Sequence, residues 1–234
     1  MITPRLAIIG DGKMGRLLHA LAVEQGDVVA AFLGRDDVLR SGISAKTLNG
    51  ATVAIEFTEP SAAADNVRAC LAAGCAVVCG TTGWDAERIE VEHDVKTSGG
   101  ALLWAPNFSL GMHIFTALVT QAARRAHAAG GFGTVIVETH HAAKLDAPSG
   151  TARQLSRVAE QASGEPVPIT SVRVGSVPGT HELVIDGAFE QVRLVHEARD
   201  RRVFALGALA AARWLAGRRG VFTLDDMLAA SGES

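Results

Sequence analysis

The spacing of apolar and polar positions divides the chain into two stretches with different rhythms. In the first, short apolar runs alternate with helical patterns. Leu6–Ile9, Val28–Leu33, Ala51–Phe57, Cys75–Cys79 and Ala101–Trp104 read as strands, short and continuously apolar as in a parallel sheet covered on both faces. Between them, Leu17, Leu18, Leu21 and Ala22 recur at helical spacing, as do Val67, Cys70, Leu71 and Ala72 before a stop at Gly74, and a third helix is expected over Asp85–Ser98. Strand and helix in alternation predict an α/β, doubly wound parallel sheet. After Phe108 the rhythm changes. A long helix over Leu110–Ala128 leads through Gly130-Gly131-Phe132-Gly133 to the β-branched run Val135–Val137, and a helix over Thr151–Ala162 follows. Three strands then come with no long helix between them: Ile169–Val174, Thr180–Ile185 and Gln191–His196. Successive strands predict a mainly antiparallel sheet and so a second domain of α+β type. A helix over Val203–Trp214 and a short one capped by Thr223 close the chain.

Each strand of the first stretch ends in a glycine-bearing or polar loop. Gly10-Asp11-Gly12-Lys13-Met14-Gly15 joins the first strand to the first helix, the context in which G-x-G-x-x-G cradles a dinucleotide pyrophosphate on a helix N-terminus. The second strand ends at Gly34-Arg35-Asp36. An acid at its end would accept from both adenosine ribose hydroxyls, whereas Gly34 followed by Arg35 suits a 2′-phosphate and tilts the expectation from NADH towards NADPH. The loops Gly80-Thr81-Thr82-Gly83-Trp84 and Ala105-Pro106-Asn107-Phe108 end the fourth and fifth strands, so a parallel sheet would set them along the same cleft.

Composition narrows the function classes. The 234 residues suffice for two modest domains, and 48% hydrophobic with 20% charged residues describes a globular protein. A net charge of −3, with no basic block interleaved with aromatics, leaves nucleic acid without an electrostatic attraction. No apolar run reaches the roughly 18 residues a membrane span needs, and the first strand begins almost at once, so a cytoplasmic protein is expected. Cys70, Cys75 and Cys79 are odd in number and fit no paired C-x-x-C motif; they read as buried, reduced thiols.

Candidate chemistry concentrates between Val135 and Arg153, where His140, His141, Lys144 and Asp146 precede Pro148-Ser149-Gly150-Thr151 at a helix start. Two imidazoles, an ammonium and unpaired helix-terminal N–H groups suit a small molecule carrying carboxylates. If the strand continues through them, His140 and His141 face opposite sides and have different tasks. One histidine and the lysine make a plausible acid pair. His140, His141, Asp146, His181 and His196 are also potential metal ligands, but their spacing fits no H-E-x-x-H arrangement and Lys144 would sit beside the ion, so no metal is expected. Ser149 lacks the G-x-S-x-G elbow of a serine nucleophile.

The segment Glu138-Thr139-His140-His141-Ala142-Ala143-Lys144-Leu145-Asp146-Ala147-Pro148-Ser149-Gly150-Thr151-Ala152 resembles the signature of the 4-hydroxy-tetrahydrodipicolinate (dihydrodipicolinate) reductases of bacterial lysine biosynthesis. The glycine loop, Phe57-Thr58, Gly80–Gly83, Ala105–Ser109, Arg173-Val174-Gly175 with Gly179 and His181, and Phe204–Ala208 resemble that family in the same order. The resemblance implies a Rossmann-type domain completed by the C-terminal helix, 1–107 with 213–234, and an α+β substrate-binding domain, 108–212, that builds a homotetramer. It implies His140 and Lys144 as catalytic, with His141, Gly150 and Thr151 holding a dicarboxylate substrate. Gly10, Asp11, Gly12, Lys13, Met14, Gly15, Arg35, Gly80, Thr81, Thr82, Ala105, Pro106, Asn107 and Phe108 would contact NADPH or NADH. Two departures stand out: some members have an acid where Gly34 stands, and 36–50 is short, which would remove wall from the adenosine pocket. The rival expectations are a related amino-acid or semialdehyde dehydrogenase and a nucleotide-binding regulator without chemistry.

Overall fold

The computed structural model describes residues 3–231; positions 1–2 and 232–234 of the expected first domain lie outside it. Contacts between residues group the chain into two compact units, Met1–Ser109 with Arg202–Ser234, and Leu110–Arg201. The first begins β1 (Arg5–Ile9), α1 (Lys13–Glu24), β2 (Val28–Leu33), α2 (Arg35–Ser41), β3 (Val53–Glu56), α3 (Pro60–Ala72), β4 (Ala76–Cys79), α4 (Asp85–Ser98) and β5 (Ala101–Trp104). The second holds α5 (Leu110–Ala129), β6 (Gly133–His140), α6 (Gly150–Ser163), β7 (Ile169–Arg173), β8 (Thr180–Asp186) and β9 (Gln191–Glu197). The chain then returns to the first unit with α7 (Arg202–Leu215), β10 (Gly220–Phe222) and α8 (Leu224–Ser231).

In the first unit six parallel strands lie in the order β10-β5-β4-β3-β1-β2. Ala7, Ile9, Ala54, Val77, Cys79 and Leu102 bury one face against α3 and α4, whose contribution includes Ala63, Val67, Cys70, Val91 and Val95. The alternate residues Leu6, Ile8, Val53, Ile55, Val78 and Leu103 are fully buried on the other face, where α7 packs on β3, β4 and β5. That packing sets the second unit boundary at Arg202 rather than 213. Ala205, Gly207, Ala208, Ala211 and Ala212 make the buried side of α7 small enough for close approach, and a Cβ on Gly207 would fall 1.8 Å from the Phe108 carbonyl oxygen. Two elements went unforeseen: α2 and β10, the latter only three residues long.

In the second unit the sheet order is β7-β6-β8-β9. The β6–β8 and β8–β9 pairs are antiparallel, as expected, but β6 and β7 are parallel, because α6 carries the chain back across the sheet between them. Ile136, Leu183 and Ile185 pack with Met112, Phe115 and Val119 of α5 and Ala152, Leu155 and Ala159 of α6. β6 is longer than the run Val135–Val137 and ends at His140.

Candidate active site

Register aligns the loops of the first unit. Ile9 pairs with Glu56, Glu56 with Cys79, and Cys79 with Trp104, while Ile9 also pairs with Leu33. Five strands therefore end level, and the loops beginning at Gly10, Gly34, Phe57, Gly80 and Ala105 leave one edge of the sheet side by side. Between β2 and β3 the chain switches direction across β1, the place where such sheets bind ligands. There lies a cleft of about 310 Å³ walled by Gly10, Asp11, Gly12, Arg35, Thr58 and Asn66, among others.

The glycines of the first loop have separate duties. Gly10 has φ +107°, and a Cβ there would lie 2.1 Å from the Phe57 carbonyl oxygen. On Gly15 a Cβ would lie 1.8 Å from the Gly10 carbonyl oxygen, so α1 docks only without one. Gly12 has nothing within 4 Å of a notional Cβ and no side chain caps the helix it begins, leaving first-turn N–H groups open to a phosphate. The cleft thus fits a dinucleotide pyrophosphate. Lys13, Met14 and Gly15 form the first turn of α1, and only Gly10, Asp11, Gly12 and Arg35 of the expected cofactor residues wall the cleft.

Other loops are fixed by bonds the sequence did not announce. The indoles of Trp84 and Trp104 both donate to the Thr81 carbonyl, at 2.9 and 3.0 Å, and Thr81 Oγ1 accepts from the Thr58 N–H at 2.8 Å. Gly80 leaves room for the Phe57 ring, which a Cβ would meet at 2.1 Å. Thr82, Ala105, Pro106, Asn107 and Phe108 follow the ends of β4 and β5 at the same edge; Phe108 stacks obliquely on Phe57, 5.8 Å between ring centres. Beneath them Glu56 is fully buried and accepts from Thr58 Oγ1, from Asn66 Nδ2 at 3.4 Å and from Cys79 Sγ at 3.2 Å. All three cysteines are unpaired and buried, and burial, then the Glu56 charge, pushes the Cys79 thiol up.

At the adenosine end Gly34 admits the Asp11 carboxyl, whose Cγ would lie 2.8 Å from a Cβ. The Asp37 carboxylate turns back onto the Gly34 N–H at 3.0 Å, so Asp37 is engaged. Arg35 is 74% exposed and 3.9 Å from Glu59. Val38 and Leu39 of α2 supply wall that the short 36–50 segment was expected to lack.

The second unit gathers a different chemistry. Along the helix-facing side of its sheet, Ser171, Glu138, His181 and His196 form one cross-strand row, and His140 lies beside Arg173 in the next. Glu138 is fully buried. Its Oε2 contacts His140 Nδ1 and its Oε1 accepts from Arg173 Nη2 at 2.7 Å. Burial by itself would raise the Glu138 pKa, but the Arg173 bond and the neighbouring positive groups hold it at about 2. Burial lowers the pKa of His140 against the opposing pull of Glu138. It pushes His181 down to about 4, helped by the charge of His140. Ser149 caps α6 by accepting from the Ala152 N–H at 3.1 Å and lies 3.3 Å from His181 Nε2.

His141 begins the loop after β6, half-buried and off the strand, so the opposite facing expected of two adjacent strand residues does not apply to this pair. Lys144 Nζ is 2.7 Å from Asp146 Oδ1. Gly150 and Thr151 open α6, with nothing within 4 Å of a Gly150 Cβ. Glu138, His140 and His181 bring ligand atoms within 4.8 Å of one another, yet Glu138 is already held by Arg173 and His140, and a fixed guanidinium adjoins the point a cation would take. Glu138 was missed as a site residue and His181 was weighed only as a metal ligand and as part of the family resemblance; period-two alternation through His140 places Glu138 on the same side and was the available signal.

A glycine cradle at a sheet switch point, joined to a second unit with a buried imidazole–carboxylate cluster, defines a two-unit dinucleotide-dependent oxidoreductase. The family model described as dihydrodipicolinate reductase, N-terminus, matches residues 4–108, and its C-terminus counterpart matches 111–228. The 4-hydroxy-tetrahydrodipicolinate reductase of Stenotrophomonas maltophilia (strain R551-3) is 38% identical, over 96% of this chain and 97% of that one. That of Christiangramia forsetii is 32% identical over 95% and 97%. The dipicolinate-bound dihydrodipicolinate reductase from Paenisporosarcina sp. TG-14 shares the fold, with a TM-score of 0.80 at 22% identity over 95% of this chain and 98% of that one. The chain belongs to the dihydrodipicolinate reductase family.

Proposed function

We propose that this protein reduces 4-hydroxy-tetrahydrodipicolinate to tetrahydrodipicolinate with NADPH or NADH in the diaminopimelate route to lysine. The observation that carries the reading is that family membership spans both units. In balance, substrate, NAD(P)H and one proton give product, NAD(P)⁺ and water. The C4–OH bond breaks, the hydroxyl leaves as water, and a C4–H bond forms. A bound nicotinamide supplies the hydride. The glycine loop and the open N–H groups of α1 hold the pyrophosphate, with Gly80, Thr81, Thr82 and Ala105–Phe108 lining the nicotinamide side. His140 and Lys144 supply protons as general acids, and His141 with the Gly150 and Thr151 N–H groups grips a carboxylate.

Arg35, exposed beside a carboxylate it can exchange for a 2′-phosphate, favours NADPH. The sheet face turned away from α5 and α6 carries Val137, Val172, Val184 and Val195, with Val195 58% exposed, a surface a homotetramer would cover. No described helix is long and apolar enough to cross a membrane, in keeping with a cytoplasmic enzyme. Steady-state assays test the function: NADPH oxidation should require the dipicolinate precursor. Turnover only with another imine or an aldehyde would favour a related dehydrogenase, and cofactor binding without turnover would favour a regulator.

A further inference from the structure

For His140 to act as a catalytic acid, one of its two ring nitrogens must handle the proton. A buried imidazole has two neutral tautomers, and the hydrogen bond made by one nitrogen selects the role of the other. Every group around His140 bears on that choice. Nδ1 faces the Glu138 carboxylate on the same strand. From β7, Arg173 holds the far oxygen of that carboxylate at 2.7 Å and also donates to the Asp146 carbonyl, so Glu138 cannot rotate away without breaking an ion pair. The Ser149 N–H approaches the same oxygen at 3.4 Å. From β8, the His181 ring stands edge-on to His140, with centres 5.2 Å apart. Lys144, on the loop after β6, opposes a positive charge on His140, as does Arg173.

Nε2 has a different neighbour. It faces the backbone of Gly179, where a Cβ would come within 3.0 Å of it. The ring is thus gripped on one nitrogen by a fixed anion and left with a bare glycine against the other.

We propose that Glu138, clamped by Arg173, is a positioning residue that keeps the His140 proton on Nδ1, making Nε2 the atom that gives and takes the proton in the reaction, with Gly179 keeping that atom uncovered. This rests on His140 acting as the acid of the proposed reductase. Neutral His140 then carries its lone pair on Nε2, and the imidazolium that forms on protonation is stabilised by the adjacent carboxylate against the cost of burial and the charges of Arg173 and Lys144. His181 is kept neutral by burial, so it adds no third positive charge.

Nitrogen-15 NMR of histidine-labelled wild-type protein, titrated with pH, reads the tautomer without needing turnover. Above its pKa, His140 should show a protonated Nδ1 and an unprotonated Nε2; the opposite tautomer would overturn the proposal even in a fully active enzyme. Glu138→Gln removes the charge while keeping the shape. It should lower the His140 pKa, shift the alkaline fall of kcat to lower pH, and reduce kcat at neutral pH by roughly 10- to 100-fold, less than the loss of the acid itself, with KM changed under about threefold. Glu138→Asp should recover part of kcat and of the pH limb. A Glu138→Gln enzyme with an unshifted pH profile and an unchanged His140 titration would refute the positioning role. Gly179→Ala, which crowds Nε2 and leaves the Glu138 grip intact, should depress kcat with the Nδ1–H tautomer unchanged; wild-type kcat would sink that part. If wild-type protein shows the Nδ1–H tautomer but no turnover, the reductase reading fails while the Glu138 grip stands.

Discussion

Three histidines on one side of the second sheet, His140 and His181 buried and His196 half-buried, make that unit sensitive to mild acid. His181 is 5% exposed, and burial first, then the neighbouring His140, brings its pKa from 6.5 to about 4. Between those values the unfolded chain binds a proton that the folded chain refuses, so stability falls as pH drops. At about 1.4 kcal/mol for each tenfold change in proton affinity, the full fall amounts to roughly 3 kcal/mol by pH 4. That is a large share of the roughly 5–15 kcal/mol that holds a typical domain. The pKa values of His140 and His196 are lowered as well, and their losses add in the same direction. Below about pH 4.5 the stabilisation from ionised Glu138 also begins to fade, because its pKa is held at about 2 by Arg173 against burial. Urea unfolding followed at a series of pH values from 7.5 to 4 measures the effect. The wild-type midpoint should drop steeply below pH 6.5, and His181→Gln, which cannot titrate, should start from a lower midpoint at pH 7.5 but lose less on acidification. Parallel pH dependences for wild type and His181→Gln would show that His181 does not govern the acid sensitivity.

Other expectations are equally specific. Gly15→Ala places a methyl 1.8 Å from the Gly10 carbonyl, so α1 must shift; a loss of at least about 2 kcal/mol and a fall of several degrees in Tm are expected by calorimetry, with weaker cofactor binding. His140→Ala should lower kcat by roughly 10² to 10⁴, and near-wild-type turnover would remove it from its role. Arg35→Ala should raise KM for NADPH by roughly three- to tenfold, an exposed charge pair's share, while KM for NADH moves less than about twofold; equal effects on both would deny Arg35 a 2′-phosphate.

Periodicity made most of the first unit legible, because its strands are short, apolar and punctuated by glycines: Gly10 and Gly74 take positive φ, and Gly34 and Gly80 leave no room for a Cβ. The helix α2 was not, since Arg35-Asp36-Asp37 reads as a polar loop; its start is fixed by Asp37 bonding back to the Gly34 N–H, a local cap with no apolar period behind it. β10 escaped because three residues carry no rhythm, and only pairing with β5 makes them a strand. The parallel β6–β7 pair is a matter of topology that spacing alone does not encode. His140, Lys144, Gly150 and Thr151 stood out as polar groups clustered before a helix start. Glu138 did not, and His181 did so only as a potential metal ligand: they sit in apolar strands, 43 positions apart by number, and become one cluster only through the β6–β8 register that sets Glu138 opposite His181.

Hydride transfer to C4 of the dipicolinate precursor can be followed by isotope. Cofactor doubly deuterated at C4 of the nicotinamide, turned over with 4-hydroxy-tetrahydrodipicolinate, should give tetrahydrodipicolinate with one deuterium at ring C4. Product without deuterium there, or no cofactor oxidation with this substrate, would exclude hydride transfer to C4 by this enzyme.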